Sequence, residues 1–249
     1  MKGKTAIIAA LAALCATAAH GQRRVVQNRP YTDLRQWHFG ILVGTHLQDM
    51  ELRNAGPTTF QREEGEAGGG LVAVDQDRWD AGFTVGVLGE LRLNRWVQLR
   101  VAPAMYFGAR HLVYRDLLQT DAAGNGIVKT QDLKTAYISA TADMIFAAPR
   151  QGNIRPYVVA GLNPMLNLSG GDGDILKLKP YDVFAGVGMG CDFYLPYFKI
   201  RPEIKFMYGL LDALDTSHSE RLRDKGLMPY TLSAAGVKSK MVALTFYFE

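Results

Sequence analysis

The sequence predicts an all-β chain closed into an eight-stranded antiparallel transmembrane β-barrel of outer-membrane type, with short periplasmic turns and long extracellular loops. Three observations predict it. Eight stretches alternate apolar and polar residues with a period of two. The connections between these stretches alternate short and long. An export signal precedes them, and no later run of 18 apolar residues offers a membrane-crossing helix.

At the start, Lys2 and Lys4 precede the apolar run Ala6 to Ala19, with Ala19-His20-Gly21 before Gln22 as the cleavage site. Residues 1–21 therefore read as a signal peptide, 22–36 as a periplasmic N-terminal segment and 37–249 as the barrel. Loss of Lys2 and Lys4 lowers the formal charge from +4 to +2, too mild a balance for a nucleic-acid footprint. Cys191 is then the one cysteine left, so no internal disulfide framework is expected.

The first strand sets Trp37, Phe39, Ile41, Val43 and Leu47 against His38, Gly40, Leu42, Gly44 and His46. The second sets Phe83, Val85, Val87, Leu91 and Leu93 against Asp80, Thr84, Glu90 and Arg92. In the third, Val97, Leu99, Val101, Met105 and Phe107 oppose Gln98, Arg100 and Tyr106. In the fourth, Ile138, Ala140, Ala142 and Met144 oppose Tyr137, Ser139, Thr141 and Asp143. The fifth pairs the apolar face Ile154, Val158, Ala160, Leu162 and Leu166 with Arg155, Tyr157, Gly161 and Asn163. The sixth has Tyr181, Val183, Val187, Met189 and Phe193 opposite Asp182, Gly186, Gly188, Gly190 and Asp192. The seventh has Phe198, Ile200, Ile204, Phe206 and Tyr208 opposite Lys199, Arg201, Glu203 and Lys205. The last has Val242, Leu244, Phe246 and Phe248 opposite Met241, Thr245 and Tyr247.

Segments 48–79, 109–133 and 211–238 read as long loops and 167–180 as one of middle length. Residues 94–95, 147–153 and 195–196 read as tight connections. Such a division of rims suits a barrel whose apolar face meets lipid, with Trp37, Phe107, Phe193, Phe198, Tyr208 and Phe248 at interfacial positions. An eight-stranded barrel has room inside only for side chains. Lys199, Arg201, Glu203 and Lys205 are expected to meet Asp143, Asp182, Asp192, Glu90 and Arg92 as an ion-paired plug, with Gly186, Gly188 and Gly190 making room. A proton relay or selective pore built from the same charges is the competing use.

Pro103, Pro156, Pro164 and Pro202 lie inside strands and predict bulges. Gly56 to Gly70 reads as a mobile Gly- and Glu-rich loop, and Asp121 to Gly126 as a reversing turn. Leu211, Leu214, Leu222 and Leu227 fall at near-helical spacing and suggest a short surface helix. The basic segment Gln22 to Gln36 either packs under the barrel, touches a periplasmic partner or stays a disordered lead-in.

No catalytic, cofactor-binding or metal residues are expected. Ser217-His218-Ser219-Glu220 has nucleophile and base types together, but in a loop with nothing to fix them. His38 and His46 stand too far apart on one strand to share a metal. A membrane-surface hydrolase would need Ser, His and a carboxylate at one rim, and the strand ends carry no such trio.

Three stretches resemble the PorT family of Bacteroidetes outer-membrane barrels: "RPYTDLRQWHFGILVGTHLQDMEL", "GNIRPYVVAGLNPMLNL" and the terminal "FYFE". The likeness spreads over the whole mature chain and departs from the family pattern at His46 and Met50, where Asn and Phe are common. The resemblance implies a non-enzymatic component or assembly factor of the type IX protein secretion system in the cell outer membrane. Its implied partners are outer-membrane lipid, other secretion-machine proteins and the barrel-assembly machinery, which would read the C-terminal strand. A general structural or adhesive barrel unconnected to secretion is the alternative.

Overall fold

The computed structural model describes residues 26–61, 67–120, 126–170, 174–222 and 224–249. The expected signal peptide lies outside them, as do residues 121–125 of the expected turn. Among the described residues eleven strands form: β1 (Trp37–Asn54), β2 (Thr58–Gln61), β3 (Ala67–Gly70), β4 (Val72–Gln76), β5 (Asp80–Arg92), β6 (Val97–Thr120), β7 (Gly126–Ala147), β8 (Ile154–Asn167), β9 (Tyr181–Tyr194), β10 (Lys199–Gly209) and β11 (Ala234–Phe248).

Eight of them close a ring in the order β6-β5-β1-β11-β10-β9-β8-β7, sealed by β6 against β7, with every pairing antiparallel. First and last ring strands meet, with Ile41 opposite Phe248 and Leu47 opposite Val242. Closure leaves the ring no edge, as a lipid-immersed sheet requires. Among the described residues no helix is long and apolar enough to cross a membrane.

The predicted faces are the observed ones. Trp37, Phe39, Ile41, Phe83, Val87, Val158, Val187 and Met189 are exposed on the outer wall, while Glu90, Arg100, Asp143, Asp192, Arg201 and Glu203 are buried inside. The short connections 93–96, 148–153 and 195–198 share one rim, and the long ones share the other.

The expected strand ends need correction. β6 and β7 run on through most of the segment expected as loop 109–133, in continuous register from Val97↔Phe146 to Arg115↔Val128. β1 likewise continues to Asn54 and β11 begins at Ala234, paired through Leu52↔Val237. β4 adds to the upper part of β6, with Val74 opposite Tyr114. Within the stretch expected to be mobile, β2 and β3 pair as a hairpin. The barrel wall therefore stands well above its lipid-facing band.

That extension is filled by the long connections. Met50, Val72, Val74, Leu112, Tyr114, Leu133, Val237 and the loop residues Ile175, Leu176, Leu178, Leu214 and Tyr230 form one buried apolar cluster. Leu178 bridges Leu214, and Lys179 N–H donates to the Ala213 carbonyl at 2.7 Å. The single helix expected from the leucine spacing is replaced by two one-turn helices, His218–Arg221 and Met228–Thr231. Leu214 and Leu222 turn into the cap, whereas Leu211 is exposed.

The prolines cause no bulges. Register holds past all four, and each missing N–H shows only as a gap towards one neighbour. The ladder lapses at Pro103 towards β5, at Pro164 towards β7 and at Pro202 towards β9. Pro156 pairs in register with Cys191 beside the end of β7, where its carbonyl accepts from Ala148 N–H at 2.9 Å. A ring strand has two neighbours, so proline disturbs one side and the other side holds the register.

Candidate functional site

The barrel interior holds the densest chemistry in the molecule, and it is stacked in layers. Nearest the short-turn rim, Lys199 Nζ stands 2.5 Å from Glu249 Oε2, and His38 Nδ1 lies 3.4 Å from the same oxygen. Above them Arg201 joins three carboxylates. Its Nη1 meets Glu90 at 2.5 Å and Glu249 at 2.7 Å, and its Nε meets Asp192 at 2.5 Å.

Arg100 then reaches Glu203 at 2.7 Å and Glu90 at 3.4 Å, while Lys205 pairs with Asp143 and stands 3.7 Å from Glu203. Tyrosines complete the coordination. Tyr157 and Tyr247 donate their hydroxyls to Glu203 at 2.8 and 3.2 Å. The Arg100 guanidinium lies 4.1 Å from the Tyr247 ring centre, a cation–π contact. The glycines do make room: a Cβ on Gly190 would collide with the Tyr157 hydroxyl, and one on Gly186 would press on Lys205.

Four basic side chains thus face five carboxylates, with His38 beside the fifth. This near balance leaves no strong field of one sign to select an ion. Higher up, Leu42, Leu88, Ala102, Ala104, Tyr106, Phe184, Met207 and Met241 pack an apolar layer across the lumen. A cavity of about 10 Å³ between these layers has room for one water at most.

Another polar layer sits beneath the cap. Arg110 donates from Nε to Gln48 at 3.0 Å and from Nη1 to Ser239 at 3.1 Å. Gln48 and Thr84 hold His46 at 2.6 and 2.9 Å. Outside the lipid-facing band, Asp212 ties the cap down by accepting from the N–H groups of Leu214 and Val237 at 3.1 and 3.0 Å. Partial burial alone would raise its carboxyl. Those amides, with Lys179 and Arg53, outweigh burial and hold it below the usual carboxylate range.

The short-turn rim is closed as well. Residues 26–36 pack under it, the first of the three fates considered for this segment. Arg29 Nη1 donates to the Glu249 carbonyl at 2.9 Å, Asn28 joins Asn153 and Tyr194, and the Tyr194 hydroxyl donates to Asp33 at 2.6 Å.

Several residues singled out in the sequence part company here. Among the described residues Asp182 meets no basic partner in the plug and instead accepts from the N–H groups of its neighbour Val183 and of Leu211 beyond β10. Arg92 stays at the rim and donates to the Asn94 carbonyl. His38 and His46 lie in different layers. Ser217 donates to Asp215 and accepts from Arg221, while His218 contacts the Asp174 carbonyl, so serine and histidine form no pair. Among the described residues no three His, Cys, Asp or Glu side chains converge as metal ligands.

Arg100 and Glu249 are the members that sequence reasoning left out of the plug. Arg100 was placed on the correct face, but the stagger that sets it across from Glu203 is a property of the closed ring. Arg110 falls within the expected loop 109–133, yet it continues the inward phase of Arg100 along the same strand.

Comparison with known proteins gives the fold a wider setting. OprG from Pseudomonas aeruginosa aligns at 13% identity over 86% of this chain and 96% of that one, with a TM-score of 0.45. Neisserial surface protein A aligns at 14% identity and a TM-score of 0.40, covering 86% and 98%. The attachment invasion locus protein Ail of Yersinia pestis, solved with the heparin analogue sucrose octasulfate, aligns at 11% and 0.38, covering 86% and 99%. No curated protein matches the chain. The family described as outer membrane protein beta-barrel domain matches residues 22–215, which takes in β1 to β10. With its apolar outer wall, paired lumenal charges and division of rims, the chain belongs to that family and resides in the cell outer membrane.

Proposed function

We propose that this protein is a sealed, non-enzymatic outer-membrane component or assembly factor of the type IX protein secretion system. The observation that carries the reading is closure at three levels: the rim segment 26–36, the lumenal ion pairs and the apolar cap. A barrel so filled offers no passage to a cargo protein, so a role in export has to run through its surfaces. The resemblance of its opening strand, its Gly152 to Leu168 stretch and its terminal "FYFE" to the PorT family points to that machine. Other machine components would meet the periplasmic rim or the outer wall. The barrel-assembly machinery would read Phe248, which packs near Phe198 with ring centres 6.3 Å apart.

Deleting the gene in its own host and locating cargo with C-terminal sorting domains tests this. Unprocessed cargo held in the periplasm is the expected result. Normal delivery to the surface would sink the secretion role.

One feature favours a second reading, a structural or adhesive barrel. β6 and β7, 24 and 22 residues long, rise beyond the lipid band and present an ordered wall to the outside. Under that reading deletion leaves export intact and lowers surface attachment instead.

A further inference from the structure

At the periplasmic rim Arg92, Arg95, Arg150 and Arg155 gather with Asp33 around a cavity of about 230 Å³. Asp33 is the one carboxylate in that lining. Arg150 and Arg155 stand 3.6 and 3.7 Å from it. Carbonyls fix them further: Arg150 donates to Gly152 and Asn28, and Arg155 to Ala148 and Arg95. Arg92 and Arg95 are held differently. Arg92 donates its Nε to the Asn94 carbonyl at 3.3 Å, and the Arg95 guanidinium lies 5.4 Å from the Trp96 ring centre. Among the described residues neither forms an ion pair with a carboxylate. Four guanidinium groups around one carboxylate leave a net positive pocket that favours an anion.

Adjoining it, with Ala148 as a shared lining residue, an apolar groove of about 620 Å³ indents the outer wall across β8, β9 and β10. Its cause is local. Cys191 is paired with Pro156 on one side, and on the other the ladder lapses at Pro202. Val158, Met189 and Ile204 form its flanks. Trp96, Phe146, Phe193 and Tyr197 are exposed around this rim and mark the headgroup level of the inner leaflet. The cationic pocket draws Arg95, Ala148, Pro149 and Arg150 from the short connections of the same rim, and the groove's lining runs from Ala148 along the outer wall to Met189 and Ile204.

A cationic hollow that adjoins an apolar trough at Ala148 has the polarity profile of one lipid molecule. We propose that this surface binds a single acidic phospholipid of the inner leaflet. Its phosphate sits between Arg92 and Arg95 above the fixed pair Arg150 and Arg155. One acyl chain lies along Pro156, Cys191 and Pro202. The surplus of positive charge selects a headgroup of net negative charge over a zwitterionic one. This site is independent of the role in secretion.

The test uses the full chain purified in detergent, with lipid binding followed by native mass spectrometry and by the thermal transition. Dioctanoyl phosphatidylglycerol, dioctanoyl phosphatidylcholine and inorganic phosphate are the three probes. Phosphatidylglycerol should bind one per chain and raise the transition, and phosphatidylcholine should bind at least about tenfold more weakly. The double variant Arg92→Gln/Arg95→Gln should lose about tenfold in affinity for phosphatidylglycerol, with the heat-modifiable electrophoretic mobility of the folded barrel unchanged. Cys191→Trp, which fills the groove, should weaken the same lipid. Equal affinity for both lipids would overturn the proposal, as would unchanged affinity in either variant. A transition raised as far by inorganic phosphate at the same concentration would reduce the pocket to an anion site and overturn the lipid.

Discussion

The lower and upper halves of β6 are built on opposite plans, although one pleat runs through both. Below Gly108 the outward residues are Val97, Leu99, Val101, Met105 and Phe107, and the inward ones include Gln98 and Arg100. Above it the outward residues include His111 and Arg115, while Leu112 and Tyr114 turn inward and are fully buried. β1 changes in the same way, from Ile41 and Val43 outside to Asp49, Glu51 and Arg53 outside, with Met50 buried within. β11 does so between Lys240 and Val242. The backbone is the same; the solvent differs. In lipid the outer face must be apolar and the polar groups are forced to pair within. In water the ordinary rule returns, and the apolar residues collect under the loops.

The largest effect should come from breaking the lumenal plug. Arg100→Leu leaves Glu203 and Glu90 short of a partner inside a filled barrel. A cost of about 3–5 kcal/mol is expected for a buried charge stripped of its pair. Urea unfolding of the barrel refolded into lipid vesicles measures it. Arg100→Leu/Glu203→Leu removes both charges and should cost less than the single change, because the carboxylate that loses its nearest cation goes with it and Glu90 keeps Arg201. A double variant as unstable as the single would mean that the two tyrosine hydroxyls, not the ion pair, dominate the layer.

A matched pair of substitutions then probes the inversion on the outer face of one strand. Val101→Arg places a guanidinium in the lipid band and should cost about 2–4 kcal/mol. Val113→Arg, twelve positions on and in the same phase, sits above the band and should change stability by no more than about 0.5 kcal/mol. Equal costs in the same vesicle assay would show that the two halves share one environment.

Much of this was legible in the sequence, and the inversion explains what was not. Every lipid-facing set was readable because lipid on one side and a packed lumen on the other impose a strict period of two. The upper strand segments were read as loops because the pattern changes sign there. Leu112-Val113-Tyr114 is apolar on both faces, and from Asp49 to Arg53 the alternation persists with its sign reversed, Asp49, Glu51 and Arg53 outside and Met50 and Leu52 within. Neither stretch continues the apolar-outside pattern that marked the strands below it. The partners within the plug were only half legible. Arg201 with Asp192 and Glu90, and Lys205 with Asp143, follow from balancing charge, but Arg100 opposite Glu203 depends on how far the strands slide before the ring closes. The prolines misled for a related reason. A closed ring has no free edge to take up a missing N–H, which predicts a bulge, while the observed ring strands forgo bonds on one side and keep their register through the other neighbour.

The smallest effect concerns the cap alone and should separate the two halves by pH. Asp212 is held below its ordinary range by the Leu214 and Val237 amides, with Lys179 and Arg53 nearby. A carboxyl depressed on folding adds stability that is fully present above its unfolded value, about pH 4. That stability is lost as pH falls from there through the lower folded value. Amide hydrogen exchange at Leu214 and Val237 should therefore lose protection across that acid window, while Val43 and Val85 in the lipid band stay protected. Asp212→Asn should weaken protection at the two cap amides at neutral pH and abolish the extra acid step. The same step persisting in Asp212→Asn would move its origin to another carboxylate of the cap. Asp215 is the first to examine, since Ser217 and Arg221 hold it below its ordinary range against the opposing effect of its burial.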